Sequence, residues 1–359
     1  MTSSEDHIAG GDHGGAAPAR TAARGAGDRP GRGITAGDAD AYLDLHQKFA
    51  ADIDAEVESA LESLGPSSGG LRTAVAGLLR HQTFRYPLSV LPLLVYGAET
   101  GNPAPAVPLA AVHDLWWTSA CYLDDIADGN TSIVAGGALG ASEALLASVV
   151  TGHVLPLRVL RSLPVPEPVR GALTDEALRC AAAAAEGQLA DLGADAGRTT
   201  RAAVAEIYRG KSSAPFAMIT AMAATLSGAD AERVDRWREF GSVFGILWQI
   251  FNDQEDMLSG REEDLRNGTV TYLLACALDG GSPAPAERVL SLHAAARESR
   301  AARSELAGLL RDPANLHRCA RDLAAFRADA HRVLMALDGH SDYMPVLAGL
   351  VDQSSLMLL

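Results

Sequence analysis

The chain has 359 residues, of which 48% are hydrophobic and 21% charged, so it has enough apolar material for a large core and is not a wholly disordered protein. Its formal net charge is −15 and it has no basic stripe, which argues against a nucleic-acid-binding protein. No N-terminal segment resembles a signal peptide, and we expect a cytoplasmic protein with reduced, buried cysteines at Cys121, Cys180, Cys276 and Cys319.

The first 36 residues are rich in Gly, Ala, Pro, Asp and Arg and nearly free of large apolar side chains. Such a segment cannot bury enough surface to offset its ordering entropy. We therefore predict a disordered tail over residues 1–36, which is either dispensable or docks to an unknown partner.

The remainder, residues 37–359, is predicted to fold as one all-α domain. Apolar residues recur at three- and four-residue spacing from Tyr42 to Leu61, and breaks with Gly and Pro separate the later segments. The uncharged run from Ser212 to Ala229 approaches the length of a membrane span, but Pro215 and several polar residues favour a buried helix. The predicted helices cover about residues 40–63, 71–80, 87–99, 106–128, 139–162, 166–192, 200–227, 231–258, 269–279, 285–310 and 315–336.

The predicted helix that ends near residue 128 is apolar until it reaches three carboxylates, those of Asp124, Asp125 and Asp128. Asp124 and Asp128 are one turn apart on the same face, and like charges at that spacing destabilise a helix unless water or cations compensate. Mg²⁺ commonly joins one or two carboxylates to a substrate phosphate. The cluster is therefore either part of a magnesium site or a solvated helix end.

A second polar cluster closes a later apolar helix and contains Gln249, Asn252, Asp253 and Asp256. Asn252 and Asp256 repeat the one-turn spacing, and two such clusters favour a metal site between two helices more than either does alone. Lys211 enters the most apolar helix of the chain. It is either a helix-end residue whose ammonium group reaches water or a point charge for a phosphate.

These motifs, taken in order, resemble the trans-isoprenyl diphosphate synthase (polyprenyl synthetase) family over roughly residues 40–350. An ordered set of motifs is far more specific than any one of them. The matching segments are Asp124-Asp125-Ile126-Ala127-Asp128, Glu186-Gly187-Gln188, Lys211-Ser212, Gln249 with Asn252-Asp253-Gln254-Glu255-Asp256, and Asp264-Leu265-Arg266-Asn267-Gly268-Thr269-Val270-Thr271.

The sequence departs from the family where the family binds isopentenyl diphosphate. The basic G-G-K-R-x-R-P segment corresponds here to residues 81–87, in which Pro87 is kept, Arg85 is displaced by one position and Tyr86 precedes the proline. The arginine pair after the first motif is replaced by an uncharged stretch, residues 129–133. Asn252 is similar to the first residue of the second metal motif in class I terpene synthases, although the rest of that motif is incomplete.

The resemblance implies an isoprenyl synthase fold with a central pocket, a homodimer and ionisation of an allylic prenyl diphosphate by magnesium. Asp124, Asp128 and Lys211 would be the catalytic residues. The resemblance also implies three Mg²⁺ ions, and the residues expected to bind them are Asp124, Asp125, Asp128, Asn252, Asp253 and Asp256. Substrate contacts are implied for Lys211, Ser212, Gln188, Gln249 and Arg266.

Small residues one turn before the first motif, Ser119 and Ala120, stand where bulk shortens the product in the family. With Trp116 as a floor and Phe216 as an aromatic wall, they indicate a deep pocket for a C15–C20 substrate. Ordinary core packing is the alternative for each of these aromatic residues.

Three functions agree with this pattern. The first hypothesis is a class I terpene synthase, because the metal motifs are kept while the isopentenyl diphosphate ligands are lost. The alternative is a chain-elongating polyprenyl diphosphate synthase that condenses an allylic diphosphate with isopentenyl diphosphate, using other basic residues such as Arg80 and Arg85. The third is a non-catalytic partner subunit of a prenyl synthase.

Overall fold

The computed structural model describes residues 36–81, 86–127, 139–279 and 283–359, and these residues fold into α-helices with short 3₁₀ and π turns and no strand. The all-α prediction is therefore confirmed. The predicted tail over residues 1–36 lies almost wholly outside the described residues. In the N-terminal half the helices are α1 Ala36–Glu62, α2 Gly69–His81, α3 Leu91–Thr100, α4 Val107–Ala127, α5 Ala141–Val149, α6 Leu155–Ser162 and α7 Glu167–Leu192.

The C-terminal half contains nine further helices in the described ranges. They are α8 Arg201–Lys211, α9 Ala214–Ser227, α10 Ala231–Ser259, α11 Glu263–Asn267, α12 Tyr272–Leu278, α13 Pro283–Ala296, α14 Arg300–Leu310, α15 Pro313–Leu337 and α16 Met344–Ser354. Side-chain caps fix several of their starts. The Thr200 hydroxyl accepts from the Ala203 N–H at 3.2 Å, and the Asp230 carboxylate accepts from the Arg233 N–H at 2.8 Å.

The structure divides two segments that the sequence predicts as single helices. The predicted helix over residues 200–227 breaks at Ser212 and Ser213, because Pro215 lacks the N–H that a continuous helix would need and instead sits in the first turn of α9. The predicted helix over residues 285–310 breaks where the Ser299 hydroxyl caps α14. Two helices, α11 and α16, are absent from the prediction.

The centre of the bundle is α9, whose residues from Ala214 to Ala224 are almost all buried. It packs against α3, α7 and α10. Helix α10 can approach closely because Gly241 has no side chain, and a Cβ there would lie 2.4 Å from the Phe216 carbonyl oxygen. The uncharged run is thus a buried helix, as the sequence predicts.

The continuous helical stretch Ala141–Ser162 is the part of the described chain whose length and apolar composition would suffice to cross a membrane. Half of its apolar window is buried inside the protein, and core helices meet the same criterion. The four cysteines carry free thiols, and Cys180, Cys276 and Cys319 are buried.

A buried carboxylate joins α3 to α10. Glu99 accepts two hydrogen bonds from Arg233 Nε, at 2.7 and 2.6 Å, and one from Trp237 Nε1 at 2.6 Å. Its side chain is only 8% exposed, so all three contacts are shielded from water.

We predict that Glu99→Leu lowers the Tm by roughly 5–10 °C, because it leaves a partly buried guanidinium and an indole N–H without their acceptor. Glu206→Leu is the matched control, since Glu206 pairs with Arg209 on the exposed face of α8 and should change the Tm little. Thermal unfolding of both variants measures the difference. Equal losses in the two variants would contradict a special role for the buried carboxylate.

Candidate active site

A cavity of about 580 Å³ opens between α4, α7, α8 and α10 and collects most of the motif residues. The predicted site residues on its wall are Trp116, Ser119, Ala120, Asp124, Asp125, Gln188, Lys211, Ser212, Gln249 and Asn252. A second concave region of about 820 Å³ lies between α7 and α8, and it contains none of these residues.

The close crossing of α7 and α8 positions two of these side chains. Gly187 and Gly210 face each other, and a Cβ on Gly187 would lie 2.1 Å from the Lys211 backbone nitrogen. A side chain at either glycine would force the helices apart. The glycine of the Glu186-Gly187-Gln188 segment therefore brings Gln188 and Lys211 to the same end of the cavity.

Lys211 links the first acidic cluster to α7. Its Nζ lies 2.9 Å from Asp124 Oδ1 and 2.7 Å from Asp191 Oδ2, and Gln188 Nε2 donates to Asp124 Oδ1 at 2.8 Å. Burial alone would lower the pKa of the Lys211 ammonium group, but the two carboxylates outweigh burial and raise this pKa above its ordinary value. Lys211 is therefore a firmly charged cation at the cavity wall.

Asp191 is a member of this network that the sequence analysis did not select. It follows Gln188 by three residues, so both side chains lie on the same face of α7. Its side chain is nearly buried. The helical spacing from the Glu186-Gly187-Gln188 segment is the signal that could have identified it.

The second acidic cluster divides between two faces of α10. Asn252 lies on the cavity wall together with Gln249. Asp253 turns away from the cavity and is fully hydrogen bonded, to the Tyr208 hydroxyl at 2.5 Å and to Gln249 Nε2 at 2.8 Å. Ser212 Oγ donates to Gln249 Oε1 at 2.6 Å, so a chain of hydrogen bonds runs from the end of α8 to Asp253.

Burial makes negative charge on this face costly. It raises the pKa of Asp253 to about 7, against the hydrogen bonds from Tyr208 and Gln249. Burial, followed by the charges of Asp253 and Asp256, also raises the pKa of Asp264 well above its ordinary value. Asp256 is buried, and its Oδ1 atom has no hydrogen-bond partner among the described residues. A cation near these groups would relieve the repulsion between them.

Several predicted site residues do not lie on the cavity wall. Asp256 accepts the Asp264 N–H at 3.2 Å, and the exposed Arg266 donates to the Arg261 carbonyl oxygen. Phe216 is fully buried behind Trp117, at a ring-centroid distance of 5.1 Å. Asp128 lies outside the described residues. The roles proposed for these residues stay predictions.

Glu255 is a second wall residue that the sequence analysis left unassigned. It accepts a hydrogen bond from the Tyr86 hydroxyl at 3.3 Å. The Tyr86 ring meets Trp248 and Phe251 edge-on, with centroid distances of 5.4 and 5.6 Å. Tyr86 lies in the segment that corresponds to the basic motif of the resembling family. Here it is held in place by two aromatic rings and a carboxylate.

The opposite part of the wall is built on one face of α4, where His113, Trp116 and Trp117 precede Ala120 and Asp124 at helical spacing. The His113 ring stacks on Trp117 at 5.9 Å, and burial lowers its pKa to about 3. Burial also raises the pKa of Asp114 to about 7. This end of the cavity is therefore aromatic, and its imidazole is uncharged at neutral pH.

Among the described residues, no three His, Cys, Asp or Glu side chains are grouped closely enough to hold a metal by themselves. A site of the kind expected here needs fewer protein ligands, because Mg²⁺ usually keeps water and shares phosphate oxygens with one or two carboxylates. The cavity wall carries the carboxylates of Asp124 and Asp125 and the amide of Asn252, which are oxygen ligands of the type that Mg²⁺ accepts.

Comparison with known proteins identifies related chains. The family model described as polyprenyl synthetase matches residues 87–309, which is more than half of the chain. A short chain isoprenyl diphosphate synthase from Methanothermobacter thermautotrophicus is 24% identical over 266 residues, which are 70% of this chain and 79% of that protein.

Solved structures show the same fold. A polyprenyl synthetase from Streptomyces coelicolor A3(2) has a TM-score of 0.75 at 18% identity, covering 87% of this chain and 99% of that one. A geranylgeranyl pyrophosphate synthase from Corynebacterium glutamicum, complexed with isoprenyl diphosphate and magnesium, has a TM-score of 0.68 at 17% identity, covering 88% and 98%.

We predict that Gly187→Ala lowers stability by about 1–3 kcal/mol, because the new methyl group overlaps the backbone of α8. Gly171→Ala is the matched control on the same helix, since no atom lies within 4 Å of its Cβ position, and it should stabilise α7 by up to about 1 kcal/mol. Denaturant unfolding measures both changes. Two stabilised variants would contradict the close crossing.

We also predict a pH-dependent effect of Asp114→Asn. Because burial raises the pKa of Asp114 to about 7, the stability that its neutral form provides is present below the unfolded pKa and is lost as the pH rises through about 7. The asparagine variant lacks this loss. The difference in Tm, variant minus native, should therefore increase between pH 5 and pH 8, and a constant difference would contradict the assignment.

Proposed function

Because the chain belongs to the polyprenyl synthetase family, we propose that it is a magnesium-dependent prenyltransferase that ionises an allylic prenyl diphosphate and condenses the resulting cation with isopentenyl diphosphate. The similarity to a short chain isoprenyl diphosphate synthase and to geranylgeranyl pyrophosphate synthases supports this reaction better than it supports the terpene synthase hypothesis.

The observation that carries the proposal is the arrangement around Lys211. Its ammonium group lies between Asp124 and Asp191, and the adjacent Ser212 is hydrogen bonded to Gln249 on α10. The positively charged Lys211 side chain thus lies between the two acidic helices. It is on the wall of a cavity whose other lining is largely aromatic and aliphatic. A diphosphate at this end would place its chain along α4.

Asp124, Asp125 and Asn252 are the residues that would hold magnesium, with Asp128 as a further ligand outside the described residues. We propose three ions, which is the number that the resemblance to the family implies. When bound, Mg²⁺ neutralises charge on the departing diphosphate and so stabilises the transition state of ionisation. Asp253 would then position Gln249 and Tyr208 instead of contacting the ion.

Lys211 would contribute a charged hydrogen bond to the same diphosphate oxygens. In the structure the Lys211 ammonium group forms ion pairs with two carboxylates, and of these Asp124 lies on the cavity wall. Engagement of Asp124 with a cation would release part of Lys211 for the substrate. Asp191 would keep the ammonium group in place during this exchange, which makes it a positioning residue.

A specific observation supports cyclisation as a second candidate. On the described part of the cavity wall, the side chains that carry positive charge at neutral pH are Lys211 and Arg261, while Tyr86 and Glu255 occupy the end near the family's basic segment. A second diphosphate close to Glu255 would meet a like charge. If it does not bind, a distal double bond of the same prenyl chain is the available nucleophile.

We predict that Lys211→Met lowers kcat/KM for diphosphate release by about 100-fold or more, because a charge that stabilises the leaving group is lost. The matched control is Lys48→Met. Lys48 is the other lysine of the sequence and lies on the exposed face of α1, so its loss should not change the rate. Removal of magnesium with EDTA should abolish activity in the native protein. Equal rates for both lysine variants would refute the proposed role.

Product analysis separates the candidate functions. Purified protein is supplied with C10, C15 or C20 allylic diphosphates, each with and without isopentenyl diphosphate, and the products are identified by mass spectrometry. Longer prenyl diphosphates formed only with isopentenyl diphosphate indicate elongation, whereas hydrocarbons or alcohols formed without it indicate cyclisation or quenching. Absence of any diphosphate release would favour a non-catalytic partner subunit.

A further inference from the structure

Two polar side chains on the cavity wall have no hydrogen-bond partner among the described residues. They are His113, through both ring nitrogens, and Trp116, through its indole N–H. Their exposed fractions are 2% and 6%, so bulk water does not satisfy them. Native proteins rarely leave buried polar atoms unpaired, and such atoms gathered on one cavity point to a ligand.

These groups lie far from the site proposed for the diphosphate. His113 precedes Asp124 by eleven residues on α4, which is about 16 Å along the helix axis at 1.5 Å per residue. Trp116 lies one turn closer to Asp124 on the same helix. The unpaired groups therefore face the distal part of a bound prenyl chain.

A purely hydrocarbon chain fits this end poorly. Its methyl groups can neither donate nor accept a hydrogen bond, so its binding would leave the imidazole and the indole N–H buried and unpaired. The His113 ring is held by stacking on Trp117 and contact with Phe216, which limits its freedom to turn toward another partner.

We propose that this end of the cavity, formed by His113 and Trp116, is a subsite for a hydroxyl group on the terminal isoprene unit of an allylic diphosphate. The inference rests on the proposed ionisation of an allylic diphosphate and names the class of substrate more narrowly. The hydroxyl oxygen accepts from the Trp116 indole N–H, and its proton is donated to a ring nitrogen of neutral His113.

The neighbouring Asp114 argues for a hydroxyl over a charged group. Its carboxyl also lies on the cavity wall and is otherwise enclosed by the protein. A second carboxylate at the chain end would be repelled by its ionised form, and a hydroxyl would not. The aromatic lining between this subsite and Asp124 suits the intervening hydrocarbon chain.

The test compares allylic diphosphates of C10, C15 and C20 length with their analogues that carry a hydroxyl on the terminal methyl group. Diphosphate release gives kcat/KM for each pair. We expect the hydroxylated compound to be preferred by about tenfold at one chain length, which corresponds to about 1.4 kcal/mol. Equal or higher values for the unsubstituted compound at every length would overturn the proposal.

Two variants show whether the preference depends on the subsite. His113→Leu should remove the preference and favour the unsubstituted chain, whereas His113→Gln, which keeps a donor and an acceptor, should retain much of it. His317→Leu is the control for the same chemical change at an exposed position of α15, and it should leave the preference unchanged. A preference that survives His113→Leu in a folded protein would also overturn the proposal.

The two proposals fail in different ways. If no allylic diphosphate of any kind releases diphosphate, the proposed function itself is wrong. If unsubstituted substrates turn over normally and the hydroxyl brings no advantage, ionisation stands and the hydroxyl subsite is refuted. Thermal unfolding of each variant confirms that the proteins compared are folded.

Discussion

The ion pairs of Lys211 are the interaction on which the site depends. One ammonium group contacts Asp124 on α4 and Asp191 on α7, and the next residue begins the hydrogen bonds that reach Asp253 on α10. Lys211 can occupy this position because Gly187 and Gly210 allow α7 and α8 to cross almost in backbone contact. A shift of α8 would therefore be transmitted to Asp124 through Lys211 and to Gln249 through Ser212.

The site also concentrates negative charge that the fold alone does not neutralise. Asp253 and Asp264 are held where burial disfavours their ionised forms. Asp256 Oδ1 accepts no hydrogen bond among the described residues, and Arg261 Nε lies 3.7 Å from it. Such an arrangement costs stability in the absence of a cation and is characteristic of functional sites, where local rules of stability are broken. The Glu99 contacts to Arg233 and Trp237 illustrate the opposite case, a buried carboxylate that is fully paired and serves the fold.

The sequence predicts the parts of this molecule that depend on local spacing, and it misses those that depend on packing. Helical periodicity correctly places α4 and α10. The ordered motifs identify Asp124, Gln188, Lys211 and Asn252, and the fold brings these four residues to one cavity. The orientation of Asp253 away from the cavity arises from its contact with Tyr208 on another helix, which the motif pattern does not encode. Helical spacing could have identified Asp191, three residues after Gln188, and Glu255, three residues after Asn252. The unpaired nitrogens of His113 can be recognised only from the positions of the surrounding side chains.

In the proposed reaction, the fate of the allylic cation would depend on electrostatics at the Tyr86 end of the cavity. Family membership favours a second diphosphate there, yet Glu255 and the aromatic rings of Trp248 and Phe251 offer it no positive charge. Arg261 is the charged side chain on the described wall that could compensate, and it forms ion pairs with Asp256 and Glu263 at 3.7 Å. Elongation therefore requires Arg261, or cations supplied from outside the described residues, to outweigh the repulsion from Glu255. Cyclisation requires no such compensation, because its nucleophile is an uncharged double bond and its cation is stabilised by the same aromatic faces.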